Sequence, residues 1–61
     1  MTNRFQIITV YDDGVSKEES TPDIQSALNA ASIYWMDPDC EMINIYDRVK
    51  NINALTYIKP E

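Results

Sequence analysis

The stretch TPDIQSALNAASIYWM, residues 21–36, decides the fold, because it is the one segment of the chain with clear helical periodicity. At about 100° per residue, its apolar side chains fill an arc of roughly 120° on one side of a helix. Those side chains are Ile24, Ala27, Leu28, Ala31, Tyr34 and Trp35. A single helix can cover one face of one small sheet. What the opposite face of that sheet contacts is therefore the main question about function.

The ends of this helix follow from its capping residues. Thr21 can accept a hydrogen bond from the first turn, Pro22 suits the first helical position, and Asp23 brings a negative charge to the positive end of the dipole. Pro38 disfavours helical geometry at the residue before it, so the helix should end near Met36.

Ile33 and Met36 depart from the amphipathic pattern, because both fall on the polar side of the helix. Isolated apolar side chains are common on protein surfaces and need no special role. Alternatively, they form a small contact point for a partner, which makes both of them candidate partner-binding residues.

Two strands should precede the helix. Residues 3–12 form the first strand, which has apolar side chains on both faces and is therefore expected to be central and covered on two sides. The turn at 12–14 contains an Asp-Gly pair, which is typical of tight hairpins. Residues 15–20 then form either a short polar edge strand or an irregular link into the helix.

Two further strands should follow the helix, after a turn at residues 37–39. Residues 40–47 and 52–59 are rich in β-branched and aromatic residues, and the polar loop 48–51 joins them into a hairpin. The order is β-β-α-β-β. It predicts a single-domain α+β fold, a two-layer sandwich of one helix packed on a small antiparallel sheet.

The register of the last hairpin decides which side chains the helix covers. Pairing Asp47 with Ile52 sets one face as Ile43, Ile45, Ile52, Ala54 and Ile58, and the other as Cys40, Met42, Tyr46, Leu55 and Tyr57. The branched aliphatic set suits a dry core, so it is predicted to lie under the helix. Partner binding is then predicted on the open face, through Met42, Tyr46, Leu55 and Tyr57. An ordinary half-polar, solvated face is the alternative.

The charge of the chain argues against direct nucleic-acid binding. Ten acidic residues face five basic ones, the formal net charge is −5, and no basic patch is available to neutralise phosphates. Acidic residues concentrate before and after the helix: Asp12, Asp13, Glu18, Glu19, Asp37, Asp39 and Glu41. They either keep the protein soluble or steer it toward a basic partner. Tyr46 and Tyr57 could stack on bases, but they lack interleaved Lys and Arg.

Catalysis and metal binding find little support in the sequence. The chain has no histidine, and its one cysteine, Cys40, lies between two acidic residues that would raise its thiol pKa. Asp37, Asp39 and Glu41 alternate like calcium ligands, but they lack the glycine and the distal glutamate of an EF-hand loop. We therefore predict no catalytic residue, no metal and no cofactor.

Cellular location is predicted from what the chain contains. A single thiol with no disulfide partner suits a reducing cytoplasm better than a secreted setting. No apolar run approaches the ~20 residues of a membrane span, and the N-terminus lacks a secretory segment. A soluble cytoplasmic protein is expected.

The layout also resembles that of a known group of proteins. From residue 21 to residue 58, a short alanine-containing helix with Ala27, Ala30 and Ala31 is followed by Met42-Ile43-Asn44-Ile45-Tyr46-Asp47 and a return strand. In size, charge and element order this is similar to small phage-encoded accessory proteins, including anti-CRISPR and other host-takeover inhibitors. The resemblance implies a protein that occupies a surface on a larger host machine, and it carries over no functional residue.

Two functions therefore follow from the sequence. The first is a non-catalytic protein-binding module, an inhibitor or adaptor whose carboxylates attract a basic partner and, in the extreme form, imitate a nucleic-acid backbone. The second is a homodimeric accessory protein in which the open sheet face is the dimer interface.

Overall fold

The structure is a computed structural model that describes residues 3–60. One helix packs on a four-stranded antiparallel sheet, and the predicted β-β-α-β-β order is confirmed. The elements are β1 (Phe5–Tyr11), β2 (Ser16–Thr21), α1 (Ile24–Trp35), β3 (Cys40–Asp47) and β4 (Ile52–Ile58). For residues 15–20, the edge strand is therefore correct and the irregular link is not, although the strand begins and ends one residue later, at Ser16 and Thr21. Gly14, in the turn before it, has a φ of 87°, which a glycine adopts without strain.

The strand order in the sheet is β2-β1-β3-β4, so β1 is central as predicted. Helix α1 connects β2 to β3 and packs against β1, β2 and β3. The prediction that β1 is covered on two sides is wrong for residues 3–60, because the chain has only one helix there and it lies on one face. On the other face, Ile8 and Val10 are half-buried by their neighbours in the sheet.

The core lies between α1 and the two central strands. Its buried apolar residues are Phe5, Ile7, Ala27, Ala31, Cys40, Ile43 and Ile45. The assignment of Cys40 to the open face is wrong. Val10 pairs with Met42 and Tyr11 pairs with Cys40, so Glu41 is an extra residue that bulges out of β3 and turns Cys40 toward the helix.

The helix starts two residues later than its predicted cap. Asp23, not Thr21, is the N-cap: its backbone is extended, and its carboxylate accepts a hydrogen bond of 2.8 Å from the N–H of Ser26. Thr21 instead ends β2, opposite Phe5, and its hydroxyl donates to the carbonyl of Asp23 at 3.2 Å. Sheet pairing at Thr21 therefore takes precedence over capping, and the stronger capping residue, an aspartate, takes that role.

A second bulge corrects the predicted faces of the last hairpin. Asp47 pairs with Ile52 as predicted, but Ile45 pairs with Leu55, so the register shifts by one residue and Ala54 is left over. A bulge of one residue exchanges the two faces of the strand beyond it.

The exchange moves three predicted positions. Leu55 and Tyr57, expected on the open face, lie on the helix side and pack against the core. The ring of Tyr57 lies 5.5 Å from that of Trp35, centroid to centroid, at a tilt of 39°. Ile58, expected under the helix, pairs with Met42 on the open face and is 67% exposed. The larger side chains of the strand thus fill the edge of the core that α1 leaves uncovered.

Candidate functional site

The sheet face opposite α1 is the candidate site, and it is built from cross-strand rows of side chains. Val10 pairs with Met42, and Met42 pairs with Ile58, so three apolar side chains from three adjacent strands form one row. We call Val10, Met42 and Ile58 the apolar row. Directly opposed side chains on one face of an antiparallel pair contact each other, so the row is a continuous apolar strip.

Apart from Ile8, the rest of the open face is mostly polar, and several of its side chains are hydrogen-bonded to each other. Thr56 donates its hydroxyl to the side-chain carbonyl of Asn44, its partner in the register, at 2.8 Å. In the next row, Tyr46 donates its hydroxyl to the side chain of Asn51 at 2.7 Å. Polarity therefore increases along the strands, from the apolar row at one end to a hydrogen-bonded surface at the other.

The acidic residues that the sequence separates come together at the end of the sheet next to the apolar row. The N–H of Asp12 donates to the carbonyl of Asp39 at 2.9 Å, which joins the β1–β2 turn to the α1–β3 turn. One shallow hollow of about 270 Å³ is lined by Asp12, Asp13, Asp37 and Asp39, with Lys17 as the single basic residue in its wall. We call these four aspartates and Glu41, exposed at the first bulge, the acidic end.

Two acidic side chains of this end also hold the turns that carry them. The carboxylate of Asp13 accepts from the N–H of Val15 at 3.0 Å, and that of Asp37 accepts from the N–H of Asp39 at 3.0 Å. Such contacts are typical of turns that begin with aspartate. The charges are therefore presented on short, defined turns, while each carboxylate remains at the surface.

A groove of about 490 Å³ joins the acidic end to the apolar row. Its walls include all three residues of the apolar row, together with Asp12 and Glu41. Lys59 also lines the groove, with its ammonium group bonded to the carbonyl of Asp37, so two carboxylates stand against one cation. An apolar strip with this negative border matches a partner that offers an apolar anchor surrounded by basic side chains.

The remaining predicted acidic residues lie elsewhere. Glu18 is exposed on the open face of the edge strand β2, opposite Ile8. Glu19 lies on the helix side, where its carboxylate accepts a hydrogen bond from the hydroxyl of Tyr34. This contact raises the pKa of the Tyr34 hydroxyl, because the bonded carboxylate disfavours a second negative charge. Glu19 therefore helps to fix β2 to the helix and does not belong to the acidic end.

The structure divides the six predicted partner-binding residues into three groups. Met42 and Tyr46 are on the open face, whereas Leu55 and Tyr57 are not. Ile33 and Met36 lie on the outer surface of the helix, with exposed fractions of 68% and 84%. Met36 directly precedes the turn of the acidic end and Ile33 lies further back along the helix, so a role for either in binding stays a prediction.

Two residues of the apolar row escaped the predicted partner-binding set. Alternation along the first strand places Val10 on the same face as Ile8, so the sequence contains a signal for its position. Ile58 could not have been assigned, because the bulge at Ala54 has no signature in the sequence.

The described residues offer few groups for chemistry. Within 3–60, no group of three or more His, Cys, Asp or Glu side chains is arranged to hold a metal ion. Burial raises the pKa of the Cys40 thiol, which disfavours the reactive thiolate. Across the same part of the chain, no helix has the length and apolar character needed to cross a bilayer.

Comparison of the chain with protein-family models, with curated proteins and with solved structures finds no match in any of the three.

Proposed function

We propose that this chain is a small non-catalytic protein-binding module, an inhibitor or adaptor, that docks the acidic end and the apolar row onto a basic surface of a larger protein. The observation that supports this most directly is the position of the apolar row, Val10, Met42 and Ile58, beside the carboxylates of the acidic end. We expect the protein to act in the cytoplasm, where its single thiol stays reduced.

The two parts of this surface have different tasks in the proposal. Apolar side chains at the centre of an interface contribute most of its affinity, because they leave water on binding. Exposed carboxylates contribute mainly to the rate of association and to the choice of partner, since water and salt screen them. Met42, on a central strand and in the middle of the row, is therefore the expected anchor.

In its extreme form, the proposal has the acidic end imitate the phosphates of a nucleic acid. The partner would then be a nucleic-acid-binding protein, and the chain would block its binding site. The resemblance to phage-encoded inhibitors implies the more general action, which is to occupy a surface on a larger protein. A contact of this kind loses affinity steeply as salt rises, because the basic groups of the partner are screened.

The same open face could instead serve a second copy of the chain. Face-to-face packing would bring two acidic ends, each on a chain with net charge −5, to the border of one interface. Like charges held close together oppose association. This charge arrangement favours a basic partner over a face-to-face homodimer.

The test compares two variants that add the same charge to the same sheet face. Met42→Lys disrupts the middle of the apolar row, whereas Ser20→Lys lies in the polar row of β2, at the far side of the open face. Each variant is immobilised beside the wild type, a host lysate is passed over all three, and bound proteins are identified by mass spectrometry. Circular dichroism first establishes that both variants are folded.

The expected result is a protein with a basic surface that the wild type and Ser20→Lys retain and Met42→Lys loses. For that protein in purified form, Met42→Lys should weaken binding at least about tenfold, as expected for loss of a central anchor. Equal retention by all three chains would contradict the proposed surface. Affinity that does not change with salt would contradict the nucleic-acid-mimic form alone.

A further inference from the structure

The two edges of the sheet differ in charge. Edge strand β2 has the sequence SKEEST, in which Lys17, Glu18 and Glu19 are all exposed. Charged side chains of this kind are how edge strands avoid pairing with other chains. Edge strand β4 has the sequence INALTYI, which contains neither a charged residue nor a proline. The β2 edge is thus protected by its charges, whereas the protective feature within β4 is the bulge at Ala54, and residues 55–58 beyond that bulge have none.

The backbone groups at the β4 edge can be assigned from the ladder. The backbone N–H of Lys59 donates to the carbonyl of Glu41 at 3.1 Å, so the backbone N–H group of Lys59 points toward β3. The N–H and C=O groups of successive residues point to opposite sides of a strand. Those of Tyr57 therefore point toward β3, and those of Thr56 and Ile58 point away from it. Within residues 3–60, no strand pairs with β4 on that outer side.

We propose that β4 is a self-association edge, at which the β4 strands of two copies pair in antiparallel fashion about a two-fold axis at Tyr57. Thr56 of each copy then lies opposite Ile58 of the other. Each such pair exchanges two hydrogen bonds between backbone N–H and C=O groups, so the two pairs make four bonds. The product is a continuous eight-stranded sheet with one helix from each copy on the same face.

The side chains that this register brings together are compatible. Tyr57 meets its symmetry mate on the helix face, where Trp35 already contacts it at 5.5 Å. Thr56 and Ile58 meet on the open face, and both are exposed in a single copy. Aromatic and β-branched cross-strand pairs are favourable, and no like charges are opposed within the paired segment.

A second copy suits this edge better than the open face because of the charge distribution. The acidic end lies on β3 and on the turns beside β1 and β3, so β4 itself lies between it and the outer edge. Lys59 adds a positive charge there, and its ammonium group donates to the carbonyl of Asp37 at 2.8 Å. The carboxylates of two copies therefore stay apart in the edge-paired dimer. The remaining repulsion between two chains of net charge −5 is long-range, and added salt screens it.

The interface formed by one edge strand is small. It belongs to the class below about 1,200 Å² in total, which is typical of weak and transient complexes. We therefore expect a concentration-dependent dimer, measurable by analytical ultracentrifugation between about 10 µM and about 1 mM protein.

The first test removes the outward N–H of Thr56. Thr56→Pro deletes a donor that makes no bond to β3, and proline is tolerated on an edge strand when its nitrogen faces solvent. Thr56→Val is the matched control, because it removes the hydroxyl contact with Asn44 and retains the N–H group. The wild type and Thr56→Val should dimerise, while Thr56→Pro should stay monomeric over the whole concentration range with an unchanged circular dichroism spectrum.

The second test reads the register directly. Photo-oxidative cross-linking joins tyrosine rings that lie side by side, so the dimer should form a covalent dityrosine between the two Tyr57 rings. Tyr57→Phe should abolish this product, whereas Tyr46→Phe, on the open face, should retain it.

Salt separates this inference from the proposed function. Dimerisation through β4 should strengthen as salt rises, whereas binding of a basic partner by the acidic end should weaken. A wild-type chain that stays monomeric at about 1 mM, where even a millimolar dissociation constant would give detectable dimer, overturns the inference. So does a dimer that survives Thr56→Pro and is lost in Met42→Lys, because that result assigns the contact to the open face.

Discussion

Arg4 and Asp47 form an ion pair through two parallel contacts, at the end of the sheet opposite the acidic end. The Nε–Oδ1 distance is 3.1 Å and the Nη2–Oδ2 distance is 2.9 Å. Asp47 lies opposite Phe5 in the sheet, and its side chain is only 6% exposed. Its carboxylate also accepts from the N–H groups of Val49 and Lys50, so the same residue closes the β3–β4 loop.

This arrangement makes part of the stability pH-dependent. The hydrogen bonds from Arg4 and, to a smaller extent, those from the β3–β4 loop lower the pKa of Asp47 from its ordinary value of 3.8 to about 2. A carboxyl whose pKa is lowered in the folded state stabilises that state above its unfolded pKa. The contribution is lost as the pH falls from about 3.8 to about 2.

Asp47→Asn should therefore lower the melting temperature at pH 7, and the difference from the wild type should narrow between pH 3.8 and pH 2. Thermal unfolding followed by circular dichroism at several pH values measures both effects. Glu18→Gln, which removes an exposed carboxylate from β2, serves as the control and should follow the wild-type profile. A difference that is constant down to pH 2 would contradict the role of the Asp47 charge.

The bulge at Ala54 leads to a prediction about Leu55 and Ile58. Leu55 is half-buried against the core, so Leu55→Ala should reduce the free energy of unfolding by about 1–2 kcal/mol. Ile58 is mostly exposed, so Ile58→Ala should change it by less than about 0.5 kcal/mol. Urea denaturation at low protein concentration measures both values. A larger loss for Ile58→Ala than for Leu55→Ala would contradict the bulge and support the register without it.

These two residues show where sequence reasoning stops. The bounds of β3, the pairing of Asp47 with Ile52 and the open-face position of Met42 all follow from composition and alternation. The bulges at Glu41 and Ala54 do not, because a bulge inserts one ordinary residue and reverses every assignment beyond it. One inserted residue, Ala54, therefore places two of the four residues predicted on the open face, Leu55 and Tyr57, on the helix side instead.

The acidic end could not be foreseen for a different reason. Asp12 and Asp39 are far apart in the sequence and are joined only because β1 and β3 are neighbours, an adjacency that places one turn beside the other. Alternation and capping patterns describe single elements and contain no information on strand order. The order β2-β1-β3-β4 arises because α1 crosses β1 and places β3 on the side of β1 opposite to β2.

The position of the helix cap gives a third prediction. Asp23→Ala removes the acceptor for the N–H of Ser26 and should reduce the free energy of unfolding by about 1 kcal/mol. Asp23→Asn keeps an acceptor in the same place and should stay close to the wild type. Equal losses in both variants would show that the charge of Asp23, rather than its capping contact, stabilises the helix.

Cys40 gives a fourth prediction, which concerns the dynamics of the acidic end. Its side chain is fully buried beside the turn that carries Asp37 and Asp39, and burial raises the pKa of its thiol. An aromatic disulfide reagent should therefore label native Cys40 only as fast as the structure opens. Asn29→Cys adds an exposed thiol on α1 as an internal reference, so that variant should show one fast and one slow phase of equal amplitude.

The slow phase should accelerate with urea in parallel with global unfolding, since Cys40 belongs to the same core as Ile43 and Ile45. Two fast phases in the absence of urea would mean that the 37–39 turn separates readily from the core. In that case the acidic end would be a flexible loop whose carboxylates have no fixed spacing. That result would contradict the proposal that the groove binds a basic partner through carboxylates held at fixed positions.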